Sequence, residues 1–217
     1  MVDLFRSKIN FIVFDIGGVL LDIYPDRMVR YISDVTKISP KIIRDCFPED
    51  IHEEYERGQI SDQEWFVWYK KALPQPNCLK ETDFWEAWNR LLGQETNVVD
   101  IMIRLKDTYS VWLLSNTNRR HVRNEIEKKY AFSQLADGTI YSFEEGARKP
   151  EKEIFNIATE KIGADPQTCL FIDDKEENVT GSTSAGFLGL HYINAQQLER
   201  DLGSLGCLLY TSPSPRD

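Results

Sequence analysis

Four short strings constrain the fold of this chain more than any other feature: Phe14-Asp15-Ile16-Gly17-Gly18-Val19-Leu20, Leu114-Ser115-Asn116-Thr117, Arg148-Lys149-Pro150 and Phe171-Ile172-Asp173-Asp174. Each reads as the end of an apolar run. Runs this short and this apolar, at Asn10 to Phe14, Ser110 to Leu114, Thr168 to Ile172 and Gly189 to Ile193, fit central strands buried on both faces. Between them Val98, Ile101, Met102 and Leu105, then Ile154, Phe155, Ala158 and Ile162, follow helical spacing. Strands alternating with helices predict an α/β fold, a doubly wound parallel sheet whose carboxyl edge gathers the polar strings.

The stretch 23–95 breaks that alternation. It carries several helix signals and no convincing buried strand, so it reads as an inserted α-helical subdomain, with residues 1–22 and 96–206 forming the sheet-bearing core. Ser39-Pro40 supplies an N-cap with Pro at the first helical position. Ser61-Asp62-Gln63-Glu64 is a capping box opening a helix from Trp65 to Lys71, and Gly58 is placed to end the helix before it. Trp65, Phe66, Trp68, Tyr69, Phe84, Trp85 and Trp88 make the insert aromatic, and packing of helix faces explains such a set better than a ligand-stacking cage. Pro74-Gln75-Pro76-Asn77 reads as a loop.

With 217 residues, 41% of them hydrophobic, the chain has material for one substantial core and a small insertion. A net charge of -9 argues against a sequence-independent grip on nucleic acid, so a small anion must be held by local charges. Met1 to Asn10 lacks the apolar segment of a secretory leader, and no later stretch is long enough to span a bilayer; the expectation is a cytoplasmic protein without a membrane partner. Cys46, Cys78, Cys169 and Cys207 lack paired metal-ligand spacing, and His52, His121 and His191 are scattered, so both sets read as buried or incidental. The closing residues 207–217, from Cys207 to Asp217, resemble one reading frame of a transposase adapter used to prepare sequencing libraries. They are expected to be non-native and are left out of the fold reading.

Asp15, expected to be exposed just past a strand in a Gly-rich loop, has the position and chemistry of a carboxylate nucleophile that forms an aspartyl-phosphate. An ionised carboxylate approaching a phosphate dianion is repelled, so the site needs a cation. Asp173 and Asp174, with Asp15 and the carbonyl of Gly17, offer hard oxygen ligands for Mg²⁺. Without a metal, three clustered carboxylates raise one another's pKa values. Ser115 and Asn116 can hold phosphate oxygens through a hydroxyl and backbone N–H groups, and Lys149 adds a point positive charge.

At these residues the chain resembles the haloacid dehalogenase superfamily, in the branch whose helical cap is inserted between the first and second motifs; the likeness covers roughly Asn10 to Leu202. Within that superfamily, Phe14 to Asp22, Glu56-Arg57-Gly58-Gln59-Ile60-Ser61, Leu114 to Arg119 and Arg148-Lys149-Pro150-Glu151 are similar to the bacterial α-D-glucose-1-phosphate phosphatase branch. The resemblance implies a Rossmann-like sheet with the Asp15 strand between those ending at Leu114 and Ile172. It implies Mg²⁺-dependent hydrolysis of a small phosphorylated metabolite such as a sugar 1-phosphate. In that scheme Asp15 is the nucleophile, Ser115 and Asn116 bind phosphate, Lys149 balances charge, Asp174 is a metal ligand, and Asp173 ligates through water or holds Lys149.

One departure stands out. Most phosphatases of the superfamily carry a second Asp two positions after the nucleophile as general acid and base, and here that position is Gly17. An anomeric leaving group needs less protonation, which fits a sugar 1-phosphate; Asp22, water, or a residue such as Glu54 or Glu56 are further proton donors, although a solvated face suits those glutamates better. Three other readings stay open. A 2-haloacid dehalogenase needs no metal, against which Asp173-Asp174 argues. A phosphomutase wants an acid-base group where Gly17 stands. A noncatalytic phosphate-binding module fits the loss of that group and fits poorly with retention of all the others.

Overall fold

The structure, a computed structural model, describes residues 9–208; of the stretch expected to be non-native, residues 209–217 lie outside the described residues. Cys207 is buried on the core, and its N–H donates to the Leu202 carbonyl at 2.8 Å. The chain opens with β1 (Phe11–Phe14) and β2 (Leu21–Ile23), then forms α1 (Pro25–Thr36), α2 (Pro40–Asp45), α3 (Glu49–Glu56), α4 (Asp62–Ala72) and α5 (Glu81–Asn89). It returns through β3 (Leu92–Glu95) to α6 (Val98–Lys106) and β4 (Ser110–Ser115). Short helical turns α7 (Arg119–His121), α8 (Glu127–Lys129) and α9 (Phe132–Leu135) lead to β5 (Gly138–Tyr141), α10 (Ser142–Glu145) and α11 (Lys152–Ile162). The described chain closes with β6 (Cys169–Asp173), α12 (Glu176–Ser184), β7 (Leu188–His191) and α13 (Ala195–Ser204).

Five strands form one parallel sheet in the order β5-β4-β1-β6-β7. The order reverses at β1, which lies between β4 and β6 as the family resemblance implies, and such a switch point is where open α/β sheets place ligands. Ile12, Val13 and Phe14 of β1 are fully buried, as is every residue of β6. Each large apolar side chain among them contributes about 1.5–3 kcal/mol on leaving water. Register does the rest. Phe14 pairs with Leu113 of β4 and Ile172 of β6, so Asp15 leaves the sheet level with Leu114 and Asp173.

Two elements are invisible to a search for apolar runs. β5 carries Gly-Thr-Ile-Tyr on the sheet edge, and its Gly138 is required because a Cβ there would lie 2.2 Å from the Trp112 ring. β3, half-buried and exposed along its length, pairs antiparallel with β2 where the chain re-enters the core; the stretch 23–95 therefore contains a strand that the pattern missed. The predicted fourth strand, Gly189 to Ile193, forms earlier, over Leu188–His191. Arg148-Lys149-Pro150 follows α10 rather than a strand, which corrects its expected place at a strand end.

Helices α1–α5 pack into their own apolar cluster, distinct from the two clusters on the faces of the sheet. Ser39 caps α2, the capping box of Ser61 and Glu64 starts α4, and Gly58 follows α3 with φ +68°. Trp65 is fully buried, stacked on Tyr55 at 5.6 Å and edge-on to Trp88 at 5.4 Å; such pairs add about 0.5–1.5 kcal/mol beyond area burial. The aromatic set thus packs as helix faces do, except for the exposed Trp68. Among the described residues no helix is long and apolar enough to cross a membrane.

Candidate active site

The parallel register gathers Asp15, Asp173 and Asp174 at the carboxyl edge, and carboxylate oxygens of all three lie within 4.8 Å of one another. Asp15 is only 7% exposed, which corrects the expectation of an exposed nucleophile: Lys149 lies directly against it. Lys149, 1% exposed, places Nζ 2.7 Å from Asp15 Oδ1 and 2.6 Å from Asp173 Oδ2. A buried ammonium between two carboxylates is tolerable only because each charge finds a partner.

Lys149 is delivered to that point by a loop, and Asn116 fixes the loop. The Asn116 amide donates to the Lys149 carbonyl at 2.9 Å and accepts from the Lys149 N–H at 2.8 Å. The side chain of Asn116 is therefore committed to the lysine loop, and what it offers to a phosphate is its backbone. A second clamp lies beside it, where Ser142 Oγ accepts from the Thr117 N–H and donates to the Thr117 carbonyl. Ser115 is buried, and Ser115, Asn116, Asp15, Gly17, Lys149 and Asp174 all line one recess of about 780 Å³.

The two adjacent aspartates are not equivalent. Asp173 accepts from Lys149 Nζ, from the Lys175 N–H at 2.8 Å and from Asn178 Nδ2 at 3.0 and 3.1 Å, so both of its oxygens are engaged. Asp174 Oδ1 is buried without a hydrogen-bond partner among the described residues. The chain makes room for this carboxylate at Gly18, where φ is +86° and a Cβ would lie 2.5 Å from Asp174 Oδ2. An orphaned buried carboxylate oxygen beside a second carboxylate is the donor set of a hard divalent cation, and the residues present fit one.

Electrostatics point the same way. Burial pushes Asp15 up to about 7 against the pull of Lys149, with the Asp173 charge adding to the rise. Burial and then Asp173 also raise Asp174. Lys149 stays firmly protonated, since the charges of Asp15 and Asp173 outweigh its own desolvation. One ammonium against three carboxylates leaves negative charge unbalanced, and a cation at Asp15 and Asp174 would bring both back into the ionised range.

Several contributors carry no sequence motif. Asn178 and Lys175 orient Asp173 from the start of α12. Arg148 Nε and Nη2 each lie 3.0 Å from Glu56 Oε2, while Nη1 lies 3.0 Å from Glu53 Oε1; Arg57 pairs with Glu151 across the same junction. Glu56 is thereby buried and ion-paired, which corrects its reading as a solvated face, and Glu54 is half-buried. Gly17 has little room for a larger residue, since a Cβ there would lie 3.3 Å from the Ile23 side chain. His52 and His121 both line the recess. His121 stacks on Trp88 at 5.3 Å, with Nδ1 facing the Asn118 amide and Nε2 3.1 Å from the Trp88 carbonyl. Those partners select the neutral tautomer that donates from Nε2, and burial lowers its pKa to about 4.

The chain is similar to known proteins. The chain is 26% identical over 197 residues to a sesquiterpene phosphatase of Aspergillus oryzae, covering 90% of this chain and 96% of that protein. It is 26% identical over 183 residues to a D-ribitol-5-phosphate phosphatase of Bacteroides thetaiotaomicron, covering 81% and 88%. A haloacid dehalogenase family enzyme of Bacteroides thetaiotaomicron, solved in complex with magnesium and inorganic phosphate, superposes with a TM-score of 0.74 at 27% identity, covering 86% of this chain and 96% of that one. A sequence profile of haloacid dehalogenase-like hydrolases matches residues 9–186, and the chain belongs to that family of enzymes.

Proposed function

We propose that this hydrolase is a Mg²⁺-dependent phosphatase that cleaves a small phosphorylated metabolite through an aspartyl-phosphate on Asp15. The observation that carries this reading is the contact of Asp15 with Lys149 at 2.7 Å beside a buried, unpartnered oxygen of Asp174. Asp15 and Asp174, with the Gly17 carbonyl, would hold Mg²⁺, which when bound supplies positive charge that draws the substrate phosphate in and lowers its negative charge. Asp173 acts mainly by holding Lys149. The relative solved with magnesium and phosphate supports the choice of ion.

The free oxygen of Asp15 attacks phosphorus, the bond from phosphorus to the alcohol oxygen breaks, and the alcohol departs with a proton. Water then attacks phosphorus, releasing inorganic phosphate and restoring the Asp15 carboxylate. Lys149, the Ser115 hydroxyl and the backbone N–H of Asn116 stabilise the charge on the phosphoryl oxygens. Gly17 contributes no proton, so the departing alcohol is one that leaves readily or takes its proton from water. A sugar 1-phosphate is one class with that property. Residues 23–95 act as the cap that covers the bound substrate, and the Arg148 contacts to Glu53 and Glu56 favour the closed arrangement.

Release of phosphate from acetyl phosphate, with Mg²⁺ and then with excess chelator, tests the reading. Hydrolysis that the chelator abolishes and added Mg²⁺ restores is expected. Chloride release from a 2-chloroacid in chelator would replace the phosphatase with a dehalogenase, and phosphate binding without turnover would leave a noncatalytic module.

A further inference from the structure

The recess that begins at Asp15 continues into the α1–α5 layer, and there its wall changes character. Its volume of about 780 Å³ falls within the ~300–1,000 Å³ of sites that receive drug-sized molecules, well beyond what a phosphate fills. On the helical side the lining includes Met28 and Val29 of α1, Ile43 of α2, and Phe47, Trp88 and Leu91. Apart from the exposed Glu49 and the Tyr69 hydroxyl, polar side chains on the same wall are largely engaged. Arg44 holds Asp26 at 2.9 Å, Glu56 accepts from Arg148, and His121 is held between Asn118 and the Trp88 carbonyl. His52 lies among the rings of Phe47, Trp65 and Trp88, with centroids 5.2 to 5.7 Å away.

A hexose buried against this wall would lose water from a ring of hydroxyls, each of which needs a new partner. Glu49 and the Tyr69 hydroxyl are too few for a ring of hydroxyls, and the Trp88 indole N–H, without a hydrogen-bond partner among the described residues, is itself shielded from solvent. An apolar body needs no partners there, and it gains by leaving water.

We propose that the alcohol portion of the substrate is a largely apolar body, hydrocarbon or aromatic, seated against Met28, Val29, Phe47 and Trp88 while its phosphate lies at Asp15 and Lys149. The proposal rests on the phosphatase reading and narrows its substrate class, with sugar phosphates as the competing outcome.

The test uses the full chain with Mg²⁺ and acetyl phosphate, a substrate too small to reach the helical wall. Butyl-, hexyl- and octylphosphonate are measured as competitive inhibitors, so that leaving-group chemistry does not enter. The inhibition constant is expected to fall at least about tenfold from butyl to octyl, since each buried methylene favours binding several-fold. The octyl value is expected to lie below the KM for glucose 1-phosphate. Phe47→Ala, or Met28→Gln if the first variant fails to fold, is expected to shrink the butyl-to-octyl ratio at least about threefold. Inhibition constants that do not change with chain length, a glucose 1-phosphate KM below them, or an unaltered ratio in the variant would each overturn the proposal. Absence of acetyl phosphate hydrolysis would instead overturn the phosphatase reading on which it rests.

Discussion

At the carboxyl edge of the sheet a single ammonium, Lys149, is buried between Asp15 and Asp173, whereas in the α1–α5 layer Trp65 is buried among Tyr55, Tyr69, Phe84 and Trp88. Both clusters are buried, but they respond to change differently. The charge cluster is a small closed set in which removing Lys149 leaves two buried carboxylates without their counter-charge. The aromatic cluster spreads its energy over many weak contacts, none of which fixes the others. The first arrangement suits chemistry that must stay the same, and the second suits a surface whose shape can follow a substrate. Where the two meet, the contacts are polar: Arg148 with Glu53 and Glu56, Arg57 with Glu151, and the neutral ring of His121 on the Trp88 carbonyl.

The contrast is most sharply tested at Asp15. Asp15→Asn keeps the size of the side chain and removes the proposed nucleophile, so turnover should fall by roughly 10,000-fold or more while circular dichroism and thermal unfolding stay close to wild type. Residual turnover within about tenfold of wild type would exclude Asp15 as the attacking group. Lys149→Met comes next. It leaves Asp15 and Asp173 facing each other without a cation and should cost about 3 kcal/mol in urea unfolding at pH 8 with chelator present. The loss should be smaller at pH 6, because a carboxyl already raised to about 7 by burial can then take up a proton.

The pKa of His121 falls from 6.5 in the unfolded chain to about 4 in the native one. Between these values the unfolded state binds a proton that the native state does not, so stability declines as pH falls from about 6.5 towards 4, by up to about 3 kcal/mol. His121→Gln should flatten that part of the profile relative to wild type, and parallel profiles would show that His121 does not remain neutral. The smallest effect is expected inside the helical layer. Ser61→Ala removes half of the capping box of α4 and should cost about 1 kcal/mol with no change in KM. A loss several times larger would mean that the layer is less tolerant than its distributed packing implies.

The central strands were legible because β1, β4 and β6 are mostly buried and so must be mostly apolar. The edge strand β5 and the short β3 were not, since a Gly that makes room for Trp112 and a half-exposed ribbon leave no apolar run. The carboxylates were legible by type and position, but their environment was not: Asp15 is covered rather than exposed, and Glu56 is ion-paired rather than solvated.

By itself, then, the sequence determined the alternation of strands and helices, the caps of α2 and α4, and the set of charged residues that a phosphate site requires. These depend on local periodicity and on the chemistry of single side chains. Only the tertiary structure decided that Asn116 grips the Lys149 loop, that Asp173 serves Lys149 while Asp174 keeps a bare oxygen, and that the recess turns apolar against α1 and α2. Each of those outcomes depends on which distant segments meet, and such meetings are set by packing of the whole chain rather than by any window of it.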